Sequence, residues 1–72
     1  MIHSIDFFKV LSEELINHNN RKKITNRDKS FISYGYALIL NTYLENKDNV
    51  ELGNIFFDLS NKLSINIMKK NQ

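Results

Sequence analysis

Apolar positions recur at spacings of three and four in two stretches of the chain, and they crowd a third stretch between them. In the first, Ile5, Phe8, Leu11, Ser12, Leu15 and Ile16 share one face at about 100° per residue, opposite Asp6, Lys9, Glu13 and Asn17. Ser4 stands one residue before this pattern as a candidate cap, with Asp6 in the first turn, where negative charge suits the positive end of the helix dipole. His18-Asn19-Asn20 closes it, since Asn is a poor helix former. The pattern predicts a helix over 4–18.

Residues 19–25 have no period and read as a connection, with Ile24 tucked beneath it. Thr25 or Asn26 then caps a second helix over about 26–46, with Asp28 in its first turn. From Phe31 to Leu44 this segment is apolar on nearly every side: Phe31, Ile32, Tyr34, Tyr36, Ala37, Leu38, Ile39, Leu40, Tyr43 and Leu44. A strand would suit its Tyr, Ile and Phe, but strict alternation is missing and no Gly- or Pro-containing turn divides it into hairpin arms. An all-round apolar helix is expected to be a central, buried one.

The charged break Glu45-Asn46-Lys47-Asp48-Asn49 ends it, and Asp48 or Asn49 can cap a third helix. Leu52, Ile55, Phe56, Leu59, Leu63 and Ile67 form a stripe that predicts this helix over about 49–69. Gly53 in this stripe points to close approach of a neighbour. Three helices with short connections predict a single all-α domain over 1–72, a small antiparallel three-helix bundle whose central helix is the most buried.

Composition narrows the picture. The 72 residues include no Cys and no Pro, which removes disulfides and thiolate metal sites and leaves helix packing or association as the source of stability. No apolar run approaches the ~18 residues that cross a bilayer, and no secretory signal is visible, so a soluble, cytoplasmic protein is expected. Eleven Asn, nine Ile and eight Lys against two Arg suit an AT-rich coding sequence, such as that of a low-GC bacterium or its phages.

Candidate chemistry is sparse. His3 and His18 lie at opposite ends of the first helix, and His18 reads as a solvated terminus. Glu13 and Glu14 are adjacent on a helix and point apart, while Gly35 and Gly53 lie inside helices rather than in a phosphate-binding loop. The expectation is a non-enzymatic protein without cofactor or metal.

Charge is the more informative feature. Arg21, Lys22, Lys23, Arg27 and Lys29, with Asp28 the one acid among them, form a basic block at the amino end of the second helix, between stretches of net negative charge. Such a block can hold nucleic-acid phosphates, which makes a small nucleic-acid-binding regulator the alternative reading. No aromatic interleaves it for base stacking, however.

The preferred reading rests on surplus apolar residues. Val10, Leu40, Phe57, Ile65 and Met68 fall outside the main stripes, and Tyr36 and Tyr43, seven apart, share a face with Ile32 and Ile39. Tyrosines at the edge of an apolar stripe combine area with a polar tip and serve as interface anchors. Tyr36, Leu40, Tyr43, Phe57, Ile65 and Met68 are therefore the candidate protein interface. The partner is another protein or a second copy of the chain. In size and helical character the chain is loosely similar to bacteriocin immunity proteins and to small phage inhibitors of host enzymes. It shares no motif with either, so no functional residue is carried over.

Overall fold

The computed structural model describes residues 4–70, and the side chains of residues 4–63 among them. Three helices follow one another: α1, Ile5–Asn19; α2, Asn26–Glu45; and α3, Val50–Lys70. Each begins where a short polar side chain can satisfy free amide groups. The Ser4 hydroxyl accepts from the Phe7 amide at 3.2 Å. Thr25 and Asp28 form a reciprocal capping box, the Asp28 amide donating to Thr25 Oγ1 at 3.1 Å and the Thr25 amide donating to Asp28 Oδ2 at 2.9 Å. Asn49 Oδ1 accepts from the Leu52 amide at 3.1 Å. Thr25 and Asn49 are thus the caps among the alternatives that the sequence left open.

Both connections reverse the chain. His18 meets Asp28 and Phe31 across α1 and α2, and Tyr36 meets Ser60 across α2 and α3, so α1 and α3 run parallel with α2 opposed to both. Phe8, Leu15, Ile39, Leu52, Leu59 and Leu63 form the buried core, edged by Ile5, Leu11, Ile16, Ile32, Tyr36, Tyr43, Ile55 and Phe56. Among the described residues no helix is long and apolar enough to cross a membrane.

The helix that packs most with the others is α1, rather than the apolar α2. In a three-helix bundle each helix has two neighbours and one free side, so an apolar circumference cannot be wholly covered. Phe31, Tyr34, Leu38 and Leu44 of α2 accordingly remain exposed. Between α2 and α3 the gap is filled by rings: Phe56 stacks on Tyr43 with centroids 5.3 Å apart and lies 5.5 Å from Tyr36. Buried Tyr needs a partner for its hydroxyl, and Tyr36 finds one in Ser60 Oγ at 2.9 Å.

The two glycines play unequal parts. A Cβ at Gly35 would lie 2.5 Å and 2.9 Å from the two terminal carbons of Leu15, a side chain with no exposed surface in which to retreat. A Cβ at Gly53 would lie 3.3 Å from the Tyr43 ring edge, which is half-buried and can shift slightly. Overpacking a core costs about 1–3 kcal/mol, whereas Gly→Ala in a helix gains about 1 kcal/mol. Gly35→Ala is therefore expected to destabilise the bundle by about 1 kcal/mol and Gly53→Ala to be neutral or to stabilise it by up to about 1 kcal/mol. Chemical denaturation of the two variants beside the parent checks the opposite signs.

Candidate functional site

The amino end of α2 is the first candidate, because helix amino termini attract anions. Here that place is filled from within. The Asp28 side chain is only 3% exposed; it accepts from the Thr25 amide and from Thr25 Oγ1 at 3.0 Å, and it is ion-paired with Arg21 Nη1 at 3.2 Å. His18 Nδ1 lies 2.8 Å from Asp28 Oδ1, and the His18 ring packs edge-on against Phe31 with centroids 4.7 Å apart. The bond from the Thr25 amide, with His18 next in weight, holds the Asp28 carboxyl at a pKa of about 2. His18 is therefore not the solvated terminus its sequence position implies: it is half-buried and ties the end of α1 to the start of α2.

This arrangement changes the meaning of the basic block. Arg21 is drawn back onto Asp28, so the anion that meets the helix terminus belongs to the chain itself. Lys22, Lys23, Arg27 and Lys29 are exposed, on the connection and the first turns of α2. They provide positive potential on the outside of the bundle.

Of the sequence-derived interface residues, Tyr36, Tyr43 and Phe57 meet in the ring layer between α2 and α3. Tyr36, Leu40 and Tyr43 are half-buried, Tyr36 and Tyr43 as members of the ring layer against α3. Phe57 is 55% exposed at the outer edge of that layer, its ring 5.7 Å from Tyr43. Ile65 and Met68 lie outside the residues whose side chains are described.

A more continuous surface lies on α2 itself. Arg27, Phe31, Tyr34, Leu38, Asn41 and Glu45 succeed one another at alternating steps of four and three, and all six are exposed. Tyr34 is 80% exposed, the most exposed large hydrophobic side chain among those described. Ser30, Ser33, Ala37 and Leu44 widen the same side, all exposed and the first three small. Steps of four and three are the spacing with which one helix seats against another. That spacing is present in the sequence. It is hidden there because almost every other position of α2 between Phe31 and Leu44 is apolar too.

A shallow cleft of about 170 Å³ lies between α1 and α3, lined by Lys9, Ser12, Glu13, Ile16, Ile55, Asp58 and Lys62. Small-molecule sites usually enclose about 300–1,000 Å³. Lys62 and Asp58, one turn apart on α3, are paired along its rim at 3.0 Å. Among the described residues no group of three His, Cys, Asp or Glu converges as a metal site would require.

Asp28 makes the stability of the bundle acid-sensitive in a defined window. Its folded pKa, about 2, lies below the ordinary value of 3.8, so its contribution is complete above pH 4 and is lost as the pH falls towards 2. Thermal melts at stepped pH are expected to show Asp28→Asn less stable than the parent at neutral pH, with the difference shrinking between pH 4 and pH 2. A constant difference across that range would deny the carboxylate this role.

Comparison with protein-family models, curated proteins and solved structures finds no match to this chain.

Proposed function

We propose that the chain is a non-enzymatic interaction module that acts by stoichiometric binding to protein, through the outward side of α2. The observation that carries this reading is the row of exposed positions with Phe31, Tyr34 and Leu38 at its centre. Isolated exposed apolar residues are ordinary, but three large ones on a single stripe form a contiguous surface. Tyr and Phe are effective anchors because they bury much area with few rotatable bonds. Charges at the two ends of the row, Arg27 and Glu45, suit orientation and register rather than raw affinity. An inhibitor-like or immunity-like role fits a module of this kind, since such proteins work by covering a surface.

Internal capping of α2 by Asp28 weighs against the nucleic-acid reading, as does the absence of aromatic side chains within the basic block. Titration of labelled duplex DNA at low salt is expected to show no binding that Lys22→Ala with Lys23→Ala weakens. Saturable binding with a steep salt dependence, lost in that variant, would restore the regulator.

The interaction reading is tested by affinity capture and native mass measurement on the parent, Tyr34→Ser and Phe57→Ser. Tyr34→Ser is expected to lose a stoichiometric protein complex while keeping the helical circular dichroism of the parent. Tyr34 is exposed enough that its replacement removes little packing from the core. If the parent forms no complex with itself or with another protein, the reading fails.

A further inference from the structure

We infer that the occupant of the α2 surface is a second copy of this chain, its α2 laid antiparallel on the first about a two-fold axis passing between Tyr34 and Leu38. The inference rests on the interaction reading above and adds the partner and the geometry.

The row Arg27, Phe31, Tyr34, Leu38, Asn41, Glu45 is nearly self-complementary when reversed. A two-fold axis at its middle places Tyr34 against the Leu38 of the partner and Arg27 against the Glu45 of the partner, twice over. Arg27 and Glu45 stand about 27 Å apart along one helix, so each pair closes one end of the contact. Leu44, one step off the row, widens the apolar strip on the side of Ala37. Ala37 sits next to the axis, where a small side chain lets the helix backbones come close. The same axis sets Asn41 against the partner's Phe31, so the apolar centre of the seam is the pairing of Tyr34 with Leu38.

Charge selects the antiparallel arrangement. Around the amino end of α2 stand Arg21, Lys22, Lys23, Arg27 and Lys29 with Asp28 and Glu14, a net +3. Around its carboxyl end stand Glu45, Lys47, Asp48 and Glu51, with Lys9 paired to Glu51, a net −1. Antiparallel pairing sets each basic end on an acidic one and aligns the helix dipoles favourably, whereas parallel pairing sets like on like. A symmetric interface of this kind is isologous and closes at two chains, so the product is a dimer and not a filament.

Sedimentation equilibrium from the micromolar to the millimolar range decides the matter, because a contact made by one helix per chain lies at the small end of interface sizes. The apparent mass is expected to rise from 8.5 kDa towards that of two chains. Tyr34→Glu is expected to weaken association tenfold or more with the helical spectrum unchanged. Arg27→Glu and Glu45→Arg are each expected to weaken it a few-fold at low salt, and the double exchange to restore it. A monomer throughout the range, a dimer indifferent to Tyr34→Glu, or a double exchange without recovery overturns the inference. A monomeric parent that still loses a heterologous complex on Tyr34→Ser overturns the dimer and leaves the interaction reading standing. No association of any kind removes both.

Discussion

Leu15 of α1 seats against Gly35 of α2, and this contact sets which side of α2 faces inward. With no side chain at position 35, the two backbones approach closely and Leu15 becomes fully buried. Asp28, Gly35 and Ile39, the buried residues of α2, lie on the flank that this contact defines. Tyr34, Ala37 and Asn41 lie on the far side of the cylinder as a matter of helical geometry. The ring layer of Tyr36 and Tyr43 occupies the flank turned to α3. Two flanks are thereby consumed by neighbours, and the third is left to solvent or to another molecule.

At the amino end of the same helix, electrostatics and packing reinforce each other. Asp28 is buried with its charge, which is tolerable only because amide and hydroxyl groups donate to it, the Arg21 guanidinium is ion-paired with it and the His18 ring lies within hydrogen-bond distance. Those partners come from the end of α1, the connection and the start of α2. One carboxylate therefore fixes the geometry of the first reversal of the chain. The cationic connection that looks from composition like a landing place for phosphate is in part a device for neutralising an internal acid. Lys22, Lys23, Arg27 and Lys29 supply the field that remains outside.

Much of the architecture is legible in the chain because capping residues and apolar spacing agree. Ser4, Thr25 and Asn49 stand where helices begin, and the stripe through Leu52, Leu59 and Leu63 becomes the buried side of α3. Periodicity carries less information on α2, where too many positions are apolar for any one stripe to stand out. A count of apolar residues says that a helix can be buried on all sides, but the number of neighbouring helices decides how many sides are covered. For the same reason Tyr36 and Tyr43 read as outward anchors, yet they face α3, while Tyr34 stands outside. The pairing of His18 with Asp28 spans ten residues and two helices, and no local pattern announces it.

The hydrogen bond between Tyr36 and Ser60 has a further effect on how α2 and α3 can sit. Ring contacts such as those among Tyr43, Phe56 and Phe57 tolerate a range of offsets and tilts, whereas a hydrogen bond is met only within a narrow distance. A slip of one turn, about 5.4 Å, would carry the Ser60 oxygen out of reach of Tyr36 and break the bond between these two half-buried side chains. The pair thus works as a vernier on the greasy joint, selecting one setting from several that the hydrocarbon alone would accept.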